Sequence, residues 1–295
     1  MIRSFLFTPA NVPRRVEKAL SLAADAVILD LEDSVAPSDK APSRKAVRAA
    51  LGKPHQCLLY VRVNAPATPY CYADLVETLA PGLDGVVVPK IESAADLHAI
   101  DWLMANLERE RGMAEGSLDL MPQIETAAGV QRVDRILQAR NLRPYRGPWR
   151  VKRACFGAAD YANDLGISPT LEEAELADAR ARIVLASRAA GMENPIDSPW
   201  FHFKESQAFA RALERSRRGG FQGRCCVHPE QIEPVNRAYM PTPQELAAAE
   251  RIVAAFRDAE SRGHAAIQVD GQMIDYPVAY RAQALLDAVR TLKHA

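Results

Sequence analysis

Short apolar runs rich in β-branched residues alternate along most of the chain with longer segments of helical periodicity. This alternation is typical of βαβ units and therefore of a parallel sheet. The pattern predicts eight strands, at residues 4–8, 26–31, 58–64, 85–90, 120–125, 153–157, 195–197 and 225–228. It also predicts helices between them, at residues 14–23, 42–51, 73–79, 94–110, 128–139, 171–190 and 204–218.

Eight strands that alternate with helices over about 230 residues are what a (β/α)8 TIM barrel requires. An open doubly wound sheet is the alternative, but it usually has fewer strands and a glycine-rich turn after the first one. The corresponding turn here, Thr8-Pro9-Ala10-Asn11, contains no glycine. We therefore predict an α/β protein in which residues 1–228 form the barrel. Within it, Thr170 and Glu173 have the spacing of a capping box, which predicts the start of one helix.

The pattern changes after His228, and residues 229–295 are predicted to form a C-terminal helix–hairpin–helix extension. Thr242, Pro243 and Glu245 have the spacing of a helix start with a capping box. Asp270-Gly271 follows that helix and suits a two-residue hairpin turn between residues 265–269 and 272–274. A last helix is expected after Pro277.

Composition and charge exclude several classes of protein. Apolar residues make up 48% and charged residues 25%, which is ordinary globular usage. Basic and acidic residues are equal at 37 each, so bulk charge gives no reason to expect a nucleic-acid or anionic-membrane partner. The apolar runs are far shorter than the ~20 residues of a membrane helix, and residues 1–9 lack the features of a secretory signal. Five cysteines without a C-x-x-C pair favour buried thiols and a cytoplasmic location.

Active sites of such barrels lie at the carboxyl ends of the strands, so the polar residues at these ends are the candidates for chemistry. One such residue is readily explained as a helix cap or a loop ion pair. The same pattern at six strand ends favours an active site. The residues are Asp30, Glu32, Asp33, Arg62, Asn64, Lys90, Glu125, Asp160 and His228.

Two of these carboxylates predict a metal site. Glu125 and Asp160 follow neighbouring strands, and neither has a basic neighbour in the sequence. Such a pair suits a hard divalent cation, above all Mg²⁺, which keeps several of its waters. Glu32 and Asp33 are expected to hydrogen-bond those waters. Arg62 lies in an apolar strand, where burial requires an anion, and its fork suits a substrate carboxylate.

Other motifs narrow the chemistry. His228 is expected either to act as a base or to lock the turn at Pro229. The sequence has no Gly-x-Ser-x-Gly elbow, no His-Glu-x-x-His and no lysine-centred phosphate loop. Their absence argues against serine hydrolases, zinc proteases and nucleoside triphosphatases.

Eight segments in order along the chain resemble the citrate lyase β-subunit-like family of the HpcH/HpaI aldolase superfamily, which includes malyl-CoA and citramalyl-CoA lyases. The segments lie at residues 3–9, 26–35, 61–64, 88–92, 124–127, 156–161, 227–232 and 270–275. Two departures, Ala10 where relatives often have glycine and the unmatched loop 65–72, flank the expected site. They leave the acyl group of the substrate open.

The resemblance implies a Mg²⁺-dependent barrel that cleaves or forms a carbon–carbon bond in a β-hydroxyacyl thioester such as malyl-, citramalyl- or citryl-CoA. The products of cleavage would be a 2-oxo acid and acetyl-CoA. Glu125 and Asp160 would be the metal ligands, Arg62 would hold the substrate, and Glu32 and Asp33 would support water at the metal.

The matching Gly-x-Met-Ile-Asp motif ends at Asp275, which the resemblance implies to be an acid/base in the site of a neighbouring subunit. This implies a homo-oligomer, a trimer or a hexamer. The local sequence by itself favours a helix N-cap for Asp275.

Recognition of CoA needs basic residues near the mouth of the barrel, for which Arg3, Arg14 and Lys18 are candidates. Lys90 is a candidate for binding the substrate. Without a CoA pocket, the alternative is a pyruvate-type metal-dependent aldolase. A third interpretation is a β subunit that binds an acyl thioester carried by an acyl carrier protein within a larger lyase complex.

Overall fold

The structure is a computed structural model that describes residues 1–139 and 149–293, and it contains a closed barrel of eight parallel strands. Each strand pairs with the next, and β8 pairs with β1 to close the barrel. The strands are β1 (Ser4–Pro9), β2 (Ala26–Asp30), β3 (Leu58–Arg62), β4 (Gly85–Val88), β5 (Asp119–Ile124), β6 (Cys155–Phe156), β7 (Ile196–Asp197) and β8 (Gly223–Cys226). The predicted TIM-barrel fold is confirmed.

Helices follow the strands, as the periodicity predicted. They are α1 (Pro13–Leu20), α2 (Lys40–Leu51), α3 (Cys71–Thr78), α4 (Ala94–Glu110), α5 (Ala127–Gln131), α6 (Val133–Leu137), α7 (Ala158–Leu165), α8 (Ala177–Ala189), α9 (Ser206–Arg218), α10 (Ile232–Ala238), α11 (Pro243–Ser261) and α12 (Tyr276–Lys293). No helix among the described residues is long and apolar enough to cross a membrane.

Inward-facing side chains fill the barrel with one apolar cluster to which every strand contributes. Its members are Phe5, Ala26, Ile28, Tyr60, Val87, Met121, Cys155, Ile196 and Cys225. Because side chains alternate along a strand, residues two positions further on face the same interior. This places Asp30, Arg62 and Gln123 directly above Ile28, Tyr60 and Met121, at the carboxyl end of the barrel. All five cysteines are buried with free thiols, as expected.

Several local predictions are wrong. The helix predicted at 128–139 is interrupted at Arg132, and α7 and α10 were not predicted. The capping box of Thr170 and Glu173 does not form, because Glu173 has a left-handed backbone with φ 50°. Arg180 donates to the Glu173 carboxylate at 2.8 Å, so this carboxylate serves a tertiary ion pair and α8 begins only at Ala177.

The described chain divides into two compact units, of which the first contains the barrel and runs from Ile2 to Ala238. The second begins at Tyr239 and has the predicted helix–hairpin–helix order of α11, two strands and α12. Strands β9 (Ala266–Val269) and β10 (Gln272–Asp275) pair in antiparallel register. Their turn has φ 51° at Asp270 and φ 80° at Gly271, as a primed hairpin turn requires. The capping box that opens α11 is confirmed.

Candidate active site

A cavity of about 410 Å³ opens at the carboxyl ends of the strands, where the sequence placed the active site. Phe7, Phe156 and Phe201 form part of its apolar wall. Its polar lining includes Asp30, Asp33, Arg62, Glu125 and Asp160. The fold therefore brings together in one cavity five of the residues singled out from the strand ends.

Asp30 and Arg62 form a buried ion pair across β2 and β3, where they are direct register partners. The Arg62 Nε donates to Asp30 Oδ1 at 2.7 Å, and Nη2 donates to Oδ2 at 2.8 Å. Burial by itself would raise the pKa of Asp30, but Arg62, the Ser34 hydroxyl and the Glu32 amide together lower it below its usual value. The pair is therefore ionised, and its two hydrogen bonds fix the guanidinium plane.

The anion expected beside Arg62 is thus supplied by the protein. Besides Asp30, the Arg62 guanidinium contacts Glu32, with 3.0 Å between Nη1 and Oε2. The guanidinium carbon also lies 4.7 Å from the centre of the Phe7 ring. Two protein carboxylates thus compensate the charge of Arg62. Its role in holding a substrate carboxylate stays a prediction.

Lys90 corrects a second expectation. The sequence indicated that no cation lies close to the two predicted metal ligands, yet the Lys90 Nζ is 3.3 Å from Asp160 Oδ1 and 4.0 Å from Glu125 Oε1. It also lies 2.6 Å from Glu32 Oε1 and 4.0 Å from Asp33 Oδ1. This proximity could not be read from the sequence because Lys90 follows a different strand from any of these carboxylates.

Glu125 is completely buried, and the surrounding residues determine the position of its carboxylate. Its Oε1 accepts a hydrogen bond from the Lys90 backbone amide at 3.0 Å, and its Oε2 accepts one from the Gln123 side chain. Burial, together with the negative charges of Asp160 and Glu32, raises the pKa of Glu125 to about 8. A nearby cation would favour the ionised form of this carboxylate.

Gln123 and Gly157 belong to the site although sequence reasoning did not single them out. A Cβ atom at Gly157 would lie 2.2 Å from Glu125 Oε2, so only glycine leaves room for this carboxylate. Two features of the sequence could have identified them. Gln123 lies two residues before Glu125 on the same strand face, and Gly157 directly follows β6.

The donor set fits Mg²⁺. Glu32, Asp33, Glu125 and Asp160 surround Lys90, and with Asp30 they outnumber the two cations Lys90 and Arg62. Among the described residues, no three acidic, histidine or cysteine side chains are grouped as a complete metal site. A site with few protein ligands, all of them oxygens, suits a cation that retains part of its water shell. Glu125 and Asp160 are the residues that would hold it.

A groove of about 760 Å³ adjoins this cavity and shares Phe7, Thr8 and Pro9 with it. Arg14, Arg15 and Lys18 of α1 contribute positive charge to its lining. Arg14 and Lys18 therefore lie near the mouth, as predicted from the sequence.

Arg3 does not lie at the mouth, and this prediction is wrong. It precedes the first residue of β1 and thus lies at the opposite end of the barrel. Its guanidinium donates two hydrogen bonds to Asp25, at 2.8 and 2.7 Å. Arg3 is an ion-pair partner at the amino ends of the strands.

His228 makes contacts that lock the turn at Pro229, which is one of its two predicted roles. Its Nδ1 accepts a hydrogen bond from the Glu230 amide at 3.3 Å. The Gln231 side chain accepts hydrogen bonds from the amides of Val227 and His228 at 2.9 and 3.2 Å. These contacts open the short 3-10 turn Pro229–Gln231, which leads into α10.

Asp275 ends β10 and caps the following helix, since its Oδ1 accepts a hydrogen bond from the Val278 amide at 3.3 Å. The capping interaction inferred from the local sequence is therefore present. Its role in the active site of a neighbouring subunit stays a prediction.

Comparison with known proteins gives consistent matches. The family model described as HpcH/HpaI aldolase/citrate lyase matches residues 3–229. The citrate lyase subunit beta of Leuconostoc mesenteroides subsp. cremoris is 32% identical over 96% of this chain and 92% of its own length. An L-malyl-CoA/beta-methylmalyl-CoA lyase of Cereibacter sphaeroides is 34% identical over 96% of this chain and 93% of its own.

A solved structure is similar over almost the whole chain. It is the crystal structure of CitE from Mycobacterium tuberculosis in complex with magnesium, acetoacetate and coenzyme A. It superimposes with a TM-score of 0.77 at 30% identity and covers 97% of each chain. The similarity therefore includes both the barrel and the C-terminal extension.

The close approach of Gly157 to Glu125 generates a testable prediction. Gly157→Ala would force the Glu125 carboxylate away from its hydrogen bonds, and we expect Mn²⁺, used as a probe for Mg²⁺, to bind about tenfold more weakly or worse. Gly52→Ala is the matched control, because a Cβ there has no atom within 4 Å. Binding is measured by electron paramagnetic resonance of free Mn²⁺. Equal affinities in both variants would contradict the assignment.

Proposed function

Because the chain belongs to the HpcH/HpaI aldolase/citrate lyase family, we propose that it is a Mg²⁺-dependent carbon–carbon lyase acting on a β-hydroxyacyl-CoA thioester. Its named relatives are a citrate lyase subunit beta and a malyl-CoA/β-methylmalyl-CoA lyase, and both are lyases. The observation that carries the proposal is the juxtaposition of Glu125 and Asp160 in a cavity that adjoins a basic groove.

The carboxylates at the mouth have separate tasks in this proposal. Glu125 and Asp160 would hold Mg²⁺, and the bound cation would supply electrostatic stabilisation of negative charge on the substrate oxygen. Glu32 and Asp33 orient water around the site. The solved structure of CitE in complex with magnesium, acetoacetate and coenzyme A supports the choice of Mg²⁺ as the cation.

The reaction in the cleavage direction begins when a base removes the proton of the β-hydroxyl group. The bond between the hydroxyl-bearing carbon and the thioester α-carbon then breaks, which releases a 2-oxo acid and leaves the enolate of acetyl-CoA. An acid must finally protonate this enolate, and we assign that step to Asp275 of a neighbouring subunit. Arg62, rigidly held by Asp30, orients the substrate carboxylate, with Lys90 as a further substrate-binding residue. Condensation follows the same steps in reverse.

The basic groove is the proposed site for the phosphates of CoA. Arg14, Arg15 and Lys18 project from the first helix, at the edge of the cavity. Arginine forks and lysine ammonium groups both bind phosphate oxygens well. A thioester extending from this groove would enter the cavity past Phe7, Thr8 and Pro9, which line both spaces.

A second candidate function is that of a β subunit acting on an acyl thioester of an acyl carrier protein. The similarity to a protein named citrate lyase subunit beta favours it. The two functions differ in the substrate they require. Activity on free CoA thioesters supports the first, whereas activity that appears only with an acylated carrier protein supports the second.

We predict that Glu125→Gln and Asp160→Asn each abolish Mg²⁺-dependent turnover, because each removes a negatively charged ligand and leaves its shape nearly unchanged. The assay is a coupled one with malyl-CoA, citramalyl-CoA, methylmalyl-CoA and citryl-CoA, and with free 2-oxo acids as controls. Circular dichroism checks that both variants fold. Near wild-type activity with unchanged Mg²⁺ dependence in either variant would refute the metal site.

We predict that Arg14→Met combined with Lys18→Met raises the KM for the CoA thioester about tenfold, with kcat largely retained, because two phosphate-binding charges are lost. Lys45→Met is the control, since Lys45 is exposed on α2 and outside the groove. An unchanged KM for the CoA thioester in the variant would argue against the groove as the CoA site. A pyruvate-type aldolase would instead turn over a substrate without CoA, with the same KM in the variant and the wild type.

We predict a homo-oligomer, built on a trimer, in which Asp275 completes the site of a neighbouring subunit. Asparagine caps helices as well as aspartate does, so Asp275→Asn preserves the cap on α12 and removes only the acid/base group. We expect this variant to lose turnover and still bind thioester.

Mixing Asp275→Asn subunits with inactive Glu125→Gln subunits should restore part of the activity through hybrid sites. Analytical ultracentrifugation measures the assembly, and the coupled assay measures the recovery. A monomer in solution would return Asp275 to its capping role alone. So would mixtures that stay inactive after verified subunit exchange.

A further inference from the structure

Lys90 has a backbone conformation that lysine rarely adopts. It follows Pro89 directly after β4, with φ 53° in the left-handed region. Such conformations cost free energy for residues with a side chain and persist where the surrounding structure imposes them. The Lys90 amide donates to Glu125 at 3.0 Å, so the same turn positions both the backbone and the side chain of this residue at the carboxylates.

The Lys90 ammonium lies where the carboxylates of the site converge. Glu32, Asp33, Glu125 and Asp160 each have an oxygen within 4.0 Å of Nζ. The shortest of these contacts is the hydrogen bond to Glu32 Oε1 at 2.6 Å. The side chain is only 32% exposed, so solvent screens these charges incompletely.

We propose that the Lys90 ammonium is the resident counter-cation of the metal-free site, and that a divalent cation must displace it to bind Glu125 and Asp160. This inference rests on the proposed metal site. Like charges at such distances repel strongly in a partly buried environment, so the ammonium and a divalent cation cannot both remain beside these two carboxylates. The exposed Asp33 and the hydrogen-bonded Glu32 offer the displaced ammonium alternative partners.

Two consequences follow for the protein without metal. Lys90 reduces the repulsion among the acidic side chains that it contacts, and it therefore stabilises the metal-free barrel. It also weakens the intrinsic affinity for the divalent cation, because binding must first break the contacts of the ammonium with Asp160 and Glu125.

Lys90→Met tests the inference, with Lys90→Gln as a second neutral variant in case the first does not fold. Mn²⁺ binding is followed by electron paramagnetic resonance in the absence of substrate, and thermal unfolding is followed in EDTA and in Mn²⁺. We expect a neutral variant to bind Mn²⁺ about tenfold more tightly, to unfold at a lower temperature in EDTA and to gain more from Mn²⁺. Lys90→Arg keeps the charge and should resemble the wild type, as should the surface control Lys45→Met.

The outcomes separate this inference from the proposed metal site. Unchanged or weaker Mn²⁺ binding in the neutral variants would overturn it, because a purely structural or substrate-binding role predicts no gain in affinity. If wild-type protein does not bind Mn²⁺, or if Glu125→Gln binds it equally well, the metal site itself is refuted and the inference falls with it. Tighter binding that Glu125→Gln abolishes supports both.

Discussion

The bidentate ion pair between Asp30 and Arg62 is the interaction on which the geometry of the site depends. It joins β2 to β3 at the mouth of the barrel, in register, with both partners buried. The Asp30 carboxylate also accepts hydrogen bonds from the Glu32 and Ser34 amides, at 2.9 and 3.2 Å. These hydrogen bonds shape the turn that carries Glu32 and Asp33. Loss of one partner in such a pair typically costs about 3 to 5 kcal/mol, because the other charge remains buried.

Negative charge in excess is the second constraint on this end of the barrel. Glu125 is held rigidly by the Gln123 side chain and the Lys90 amide, and Gly157 provides the space for it. Such rigid placement of a completely buried carboxylate is unfavourable unless a cation compensates it. Lys90 supplies only part of this compensation, and the pKa of Glu125 therefore stays raised.

The sequence by itself determined the architecture. Alternating β-branched runs and helical periodicity identified eight strands, since burial on both faces of a parallel strand leaves a continuous apolar signal. Local chemistry also fixed the turn at Asp270-Gly271 and the start of the helix at Thr242, because only neighbouring residues take part in them. The position of the site followed from the fold, as the strands of a parallel barrel all end at one mouth.

Only the tertiary structure decided which charges meet there. Arg62 pairs with Asp30, Lys90 lies among carboxylates from other strands, and Arg3 is paired at the opposite end of the barrel. The failed capping box at Glu173 has a related origin, because Arg180 and the distant Arg224 bind its carboxylate. Ion pairs of this kind depend on strand register and barrel closure. These bring residues far apart in the chain within 4 Å of each other, and no local pattern records that distance.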